Sequence, residues 1–452
     1  MSAADDAPTP TTPAAPPGAR DRPEPGSRRL RRLPPREPDA RPIPGLPETP
    51  TPLPVAAASE VHERYERAFA GIQPPFAFVD LDAVWSNAAD MLRMAGGKQI
   101  RIASEAIRCR PILRRLLDLD PAFDGALTYT AAETLWLWEQ GLRDLVLAHP
   151  STDFACLTRL ARVTAEHPDE APVIVADCAE HLDLIERAAS SFVAPVRVAI
   201  EIDLSWRPLG GLVTVGPRRS PIRTAKEAAA FAREIERREH VRLAGMIAYE
   251  GQIAAIPDDV PRRPIRNGAA RAMKAASLAD VRGRRAEIVA AVGEVRELEF
   301  VNGGGTGSIG LTAAEGAVTE VAAGSGFYAP AALDHHRSLR LTPAAMFALP
   351  VVRRLSPRDA TVHGGAHLAD SGGTAVPHLP PGLRLARDRG AGPGQATVLG
   401  FGAERLRLGD RVLFRGRAAG ELGERFDRLY LLAGSTIRDE VPTYRGEGKA
   451  FV

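Results

Sequence analysis

From residue 61 onward the chain alternates short apolar runs with stretches in which apolar side chains recur every three or four positions. The short runs, bounded by Gly, Asp or Asn, read as buried strands, and the three-to-four spacing reads as helices that hide one face. The strand candidates are FAFVDL (76–81), IRIAS (100–104), GALTYT (125–130), DLVLAH (144–149), PVIVAD (172–177), VRVAIEIDL (196–204), LAGMIAYE (243–250), LEFVNGGG (298–305) and VTEVAAGS (318–325). Helical patterns lie between most of them, among them AAETLWLWEQGL (131–142), AEHLDLIERAASS (179–191) and TAKEAAAFAREIERRE (224–239). With the first run set aside, eight strands over about 250 residues match the count and length of a (β/α)8 barrel, whose working groups sit at the C-terminal ends of the strands. A helical segment, DLDAVWSNAADMLRM (80–94), precedes that barrel.

After about residue 340 the helical period stops, and short Gly- and Pro-punctuated strands such as ATVLGFG, DRVLFRG and DRLYLLAG take over, which predicts a β-rich second domain. Residues 1–55 are rich in Pro, Ala and Arg and nearly free of aromatics, so they bury too little to offset the entropy of ordering. The expected division is therefore a disordered extension over 1–55, an α/β barrel domain over 56–337 and a β-rich domain over 338–452. The basic cluster SRRLRRLPPR in the extension reads as a docking segment or a solvated charge run.

Composition narrows the partners. A chain of 452 residues with 44% hydrophobic content and a formal charge of only +2 carries no field that argues for nucleic acid or an anionic membrane. No apolar run approaches the roughly 20 residues of a membrane span, and the N-terminus lacks an apolar signal core, so a cytoplasmic protein is expected. Cys109, Cys156 and Cys178 are too few and too scattered for a disulfide framework and are expected to be structural thiols. Lysine is confined to Lys98, Lys226, Lys274 and Lys449. Any chemistry that needs a lysine amine has four candidates.

Two glycine-rich turns, VNGGGTGS (301–308) and AAGSGFY (322–328), end the last two barrel strands, the habitual place of a phosphate cradle in barrels. The other strand ends carry Tyr129, His149, Asp177, Asp203, Arg207, Tyr249, Glu250 and Gln252, a polar ring that suggests a pocket for a small polar ligand. GPRRSPIRT (216–224), ahead of a helix capped by Thr224, reads equally as an anion-binding turn or a solvated loop.

Together FVDLDAVWSNAADML, IRIASEAIRCRPILRRLL, FDGALTYTAAETLWLWEQGL, DCAEHLDLI, VGPRRSPIRT, GMIAYEGQIA, VNGGGTGS, TEVAAGSGFY and the terminal VPTYRGEGKAFV resemble the amino acid deaminase/aldolase family. That family is similar to D-threonine aldolase and D-serine dehydratase, in the alanine-racemase-like fold type III of pyridoxal-phosphate enzymes. The resemblance runs over about residues 60–452 and implies a cofactor-holding barrel, a β domain behind it and a head-to-tail dimer in which the β domain of one chain helps close the barrel mouth of the other; the expected partner is a second copy of the chain or an active paralogue. It implies cofactor contacts from the backbone of Gly303, Gly304, Gly305, Gly324 and Ser325, with Tyr328 nearby; Tyr249, Gln252 and Arg207 of the polar ring are expected in the same pocket, and Tyr444 is a candidate catalytic group. The resemblance also implies pyridoxal 5'-phosphate as cofactor and a small amino acid or phosphate-bearing ligand.

Two departures stand against the family pattern. Relatives read close to Ala-Ser-Lys at the end of the first barrel strand, the lysine forming the internal aldimine, whereas this chain reads Ala103-Ser104-Glu105. A His-Ala-Lys run of the late β domain, whose histidine corresponds to a zinc ligand, is replaced so that Gly416 stands at the histidine position and Ala418 two residues on. No metal and no covalent cofactor attachment are therefore expected. Lys98 sits at the other end of the strand from Glu105, about 20 Å away. Lys226 and Lys274 fall in helical patterns, which leaves Lys449 in the C-terminal tail as the one conceivable visitor.

A carboxylate beside an anionic cofactor costs about 4 kcal/mol per pair at 4 Å with an effective dielectric of 20. Glu105 is relieved by protonation, by pairing with Arg108, Arg110 or Arg207, by the ammonium of an amine-form cofactor or amino acid, or by standing in a pocket without cofactor. The first expectation is a binding or regulatory pseudoenzyme. The alternative is an active lyase, an aldolase or deaminase acting on a small amino acid, either cofactor-dependent by family analogy or with Glu105 as acid/base.

Overall fold

The computed structural model describes residues 57–370, 373–386 and 392–451. The expected 1–55 extension and its basic cluster lie outside them. The strands are β1 (Phe76–Asp80), β2 (Gln99–Ala103), β3 (Phe123–Thr128), β4 (Leu145–Leu147), β5 (Val173–Ala176), β6 (Val196–Glu201), β7 (Val241–Ala248), β8 (Phe300–Gly303) and β9 (Glu320–Ala323). Strands β2 to β9 form a closed parallel barrel, sealed where β9 returns to β2 with Gln99 opposite Glu320 and Ile102 opposite Ala323. Each barrel strand falls within two residues of its sequence-predicted start, because buried parallel strands write themselves as continuous apolar runs.

The helices are α1 (Ala58–Ala68), α2 (Leu81–Ala95), α3 (Arg110–Leu119), α4 (Ala131–Glu139), α5 (Phe154–Glu166), α6 (Ala179–Ala189), α7 (Ala225–Arg237), α8 (Gly251–Ala254) and α9 (Pro264–Gly293). Their starts are fixed by side chains: Thr130 caps α4, Asp153 caps α5, and Thr224 with Glu227 forms a reciprocal capping box on α7. Each such cap is worth about 1 kcal/mol and sets where the strand-end loop stops. Inside the barrel a buried ion cluster joins three strands. Arg101 reaches both oxygens of Glu320, at 2.7 and 2.8 Å, and the Asp144 carbonyl, and Asn302 donates to the same Glu320.

After the barrel, β10 (Ala345–Ser356) and β11 (Asp359–His363) lead into a nine-stranded sheet that ends with Arg428–Ala433 and Thr436–Pro442. Strand pairing does not follow the expected division at residue 338 throughout. β1 belongs to this second sheet, antiparallel to β10 with Phe76 opposite Ala348, and parallel to Arg428–Ala433 with Phe78 opposite Tyr430. Helix α1 covers that strand, with Phe69, Phe76, Phe78 and Leu432 in one apolar cluster. The described residues thus start in the β domain, run through the barrel and return.

Candidate functional site

The turn that carries Glu105 begins at the end of β2 and is held from several sides. Ile107 and Arg108 donate their amides to the Ser104 carbonyl, the Tyr328 hydroxyl donates to the Ile107 carbonyl, and the Tyr444 amide donates to the Arg108 carbonyl. Arg108 sits at φ +44, a conformation that persists only where surroundings over-determine it. Its guanidinium pairs with Glu424 of the β domain. Gly420 approaches so closely that a Cβ there would lie 2.0 Å from the Glu105 carbonyl oxygen, and a Cβ on Gly324, at the end of β9, would lie 2.8 Å from that of Ala103. Ser104 and Ala106 are buried while Glu105 between them is exposed, so the clamped turn thrusts one carboxylate outward.

What that carboxylate faces is read from the groups its charge reaches. Burial pushes the Tyr129 and Tyr249 hydroxyls up, Tyr249 to about 12, and the Glu105 charge adds to both. Burial pulls His149 down, as does Arg219, against the opposing pull of Glu105. Tyr129, His149 and Tyr249 follow β3, β4 and β7, so Glu105 looks across the C-terminal mouth of the barrel. None of the arginines expected to neutralise it does so. Arg108 takes Glu424, Arg110 reaches Glu447 at 2.6 Å, and Arg207 reaches Asp203 at 3.1 Å. Glu105 has no ion pair among the described residues. The four lysines are placed elsewhere: Lys98 donates to the carbonyls of Glu315 and Val318, Lys226 is exposed on α7, Lys274 pairs with Asp258 at 3.2 Å, and Lys449 lies 6.0 Å from the centre of the Trp136 ring.

Beneath the mouth lie two carboxyls and a cation that the sequence did not single out. Glu133, in the first turn of α4, is fully buried. It accepts from the Tyr129 amide at 2.9 Å and the Tyr444 hydroxyl at 2.9 Å, and burial holds it at about 7. Its place three residues after Thr130 reads in sequence as a capping glutamate, which hides its other partners. Glu201, the last residue of β6, is raised to about 7 by burial, with Arg219 working against the rise from 3.8 Å. Arg219 also lies 4.9 Å above the Tyr249 ring. The GPRRSPIRT turn, left open between anion binding and solvation, therefore brings one cation to the mouth.

The glycine-rich turns are partly committed. Gly304, at φ +85, donates its amide to Glu250, and Gly305 donates to the Ser308 hydroxyl at 3.2 Å. Glu250 is itself buried at the end of β7, accepting from Ser308 at 2.6 Å and Thr312 at 2.5 Å and pairing with the buried Arg285. Gly303 lies in β8 against Thr312 and Ala248. Ser325 is half-buried beside Gly324, and its hydroxyl has no partner among the described residues. Tyr249 packs on Gly305.

Of the residues expected to act, Glu105, Tyr249, Gly305, Gly324 and Ser325 come together at the mouth. Gln252 is buried with its amide nitrogen on the Leu204 carbonyl and the Ser277 hydroxyl, each at 2.9 Å. Tyr328 lies in the core on the Ile107 carbonyl, and Arg207 is an exposed partner of Asp203. Tyr444 is a core residue, edge-on to Trp136 at 5.0 Å, which reaches the mouth only through Glu133. The reason is common to Tyr328, Gln252 and Tyr444: a large polar side chain near a strand end meets a backbone carbonyl or a buried acid before it meets the ligand.

A closed eight-stranded barrel joined to a β-rich domain matches the alanine-racemase-like architecture. Solved structures agree. D-threonine aldolase from Filomicrobium marinum is 20% identical over 83% of this chain and 96% of its own, with a TM-score of 0.69. D-threo-3-hydroxyaspartate dehydratase from Delftia sp. HT23 is 18% identical over 82% of this chain and 98% of its own, with a TM-score of 0.64. An alanine racemase from Bacillus anthracis is 14% identical over 83% of this chain and 99% of its own, at 0.59. No family model matches the chain, and no curated relative does. At these identities the likeness establishes the fold.

Proposed function

We propose that this chain is a divergent relative of the amino acid deaminase/aldolase proteins that binds a small ammonium-bearing ligand, an amino acid or an amine-form cofactor, at the barrel mouth, and that it serves as a binding or regulatory protein without a lysine-held cofactor. One observation carries the reading: an exposed Glu105, without an ion pair among the described residues, stands on a rigid turn at the end of β2, while each of the four lysines is held or exposed elsewhere. A carboxylate attracts an ammonium and cannot condense with an aldehyde. The residues present do not fit a tethered pyridoxal phosphate, so no step is routed through one. Gly416 and Ala418 likewise offer no side-chain ligand at the family's metal position. The exposed apolar side chains Leu209, Leu212 and Val213, on the loop after β6, support assembly with a second subunit, a copy of this chain or an active paralogue. The charge balance and the lack, among the described residues, of a helix long and apolar enough to cross a membrane accord with a cytoplasmic setting.

The test is an absorption spectrum of the purified chain with and without added pyridoxal phosphate, before and after Glu105→Lys. The expected result is an imine band only in the variant. A band in the native chain would sink the reading. A second reading, an active lyase with Glu105 as acid/base, draws on Glu133 and Glu201, both held near 7 beside the mouth, where a general acid or base works at neutral pH. Turnover of a small amino acid by the native chain, lost in Glu105→Gln, would favour it over the first.

A further inference from the structure

Asp177, Cys178 and His181 form a second chemical cluster at the same face of the barrel. Asp177 follows β5 and is buried, Cys178 is the extended residue that opens α6, and His181 lies in the first turn of that helix. One oxygen, the sulfur and one ring nitrogen all lie within 4.8 Å of one another. His181 Nδ1 is buried and stands 2.9 Å from Asp177 Oδ1 without a hydrogen bond, while the Cys178 sulfur meets the His181 backbone amide and the Glu180 carboxylate. An oxygen, a sulfur and a nitrogen donor thus converge on one spot. Cys178 is not part of a disulfide, and its thiol is half-buried rather than sealed in the core like Cys109.

We propose that Asp177, Cys178 and His181 form a site for a divalent transition-metal ion of the zinc class. The donor set is one carboxylate oxygen, one thiolate and one imidazole nitrogen, a mixture that zinc and cobalt accept and that magnesium or calcium does not favour. In a tetrahedral site with bonds of about 2.0–2.3 Å the ligand atoms stand about 3.3–3.8 Å apart, so small side-chain rotations bring these three into range. All three come from the five-residue run DCAEH on a strand end and one helical turn, so little chain entropy is lost in closing the site. The negative charges of Asp177 and the thiolate oppose the positive end of α6, which by itself repels a cation. Three protein ligands leave a fourth position for water or for an oxygen of a ligand. Glu201, at the end of the neighbouring strand, is close enough to feel the Asp177 charge, so the ion would stand at the rim of the mouth. The site is independent of the reading of Glu105 and separate from the position of Gly416. It departs from the expectation that the chain holds no metal and that Cys178 is only structural.

Metal binding displaces the Cys178 proton, so affinity rises with pH. The test uses the full chain, freed of metal with a chelator and titrated with cobalt(II) and then zinc(II), alongside Cys178→Ser, His181→Ala and Cys156→Ser, with circular dichroism confirming that each variant is folded. The native chain and Cys156→Ser are expected to take one equivalent of cobalt with a thiolate charge-transfer band, which zinc bleaches. Cys178→Ser should lose the band, and both site variants should bind zinc at least tenfold more weakly. Absence of the band in the native chain, or undiminished zinc binding in either site variant, would overturn the proposal.

Discussion

Glu105 and Glu250 end two strands of one barrel and have opposite fates. Glu250 is wholly buried, with two hydroxyls, one backbone amide and the Arg285 guanidinium converging on it, while Glu105 is exposed and makes no ion pair among the described residues. A buried carboxylate must be saturated with donors or the fold does not tolerate it, whereas an exposed one on a rigid turn is free to wait for a ligand. The difference shows that an acid at a strand end means nothing until its partners are counted. The glycine-rich loop makes the same point from the other side, since the Gly304 amide that would meet a phosphate is already given to Glu250.

The comparison breaks most visibly at Glu250. Among the described residues Glu250→Ala leaves the buried Arg285 with only Glu315 as ionic partner and should lower stability by about 3–5 kcal/mol in chemical denaturation, whereas Glu105→Ala should stay within about 0.5 kcal/mol. Glu133 gives the next effect. Burial raises it from 4.5 to about 7, so the folded state favours the protonated acid. Its penalty is absent below pH 4.5 and grows to about 3 kcal/mol as pH rises through 7, and Glu133→Gln should flatten that slope in urea titrations between pH 4.5 and 8. Gly420→Ala places a methyl against the Glu105 carbonyl and should cost about 1–3 kcal/mol in thermal melts while weakening any ligand that Glu105 holds. Smallest in stability is Glu105→Gln, expected within about 0.5 kcal/mol, yet amino acid binding by calorimetry should weaken at least tenfold.

Much of the barrel was legible because parallel strands are apolar on both faces and their runs cannot be mistaken for loops. The placement of β1 was not. FAFVDL has the pattern of any buried strand, and only pairing across more than 260 residues, Phe76 with Ala348, assigns it to the second sheet. At the mouth, Glu105 stood out because of a residue type that the resemblance did not expect. Glu201 was hidden inside the run VRVAIEIDL, and Arg219 inside a turn whose three arginines look alike in sequence. Which arginine neutralises which acid is a property of distance between elements far apart in the chain, and Arg108 chose Glu424 over its near neighbour Glu105 for that reason.

We propose that no lysine among the described residues stands where an aldehyde at the barrel mouth could condense with it. Borohydride reduction of the native chain with one equivalent of pyridoxal phosphate, followed by peptide mass spectrometry, should find no pyridoxyl group at Lys98, Lys226, Lys274 or Lys449, and should find it at position 105 of Glu105→Lys. Stoichiometric labelling of Lys449, or of any other lysine in the native chain, would contradict the account.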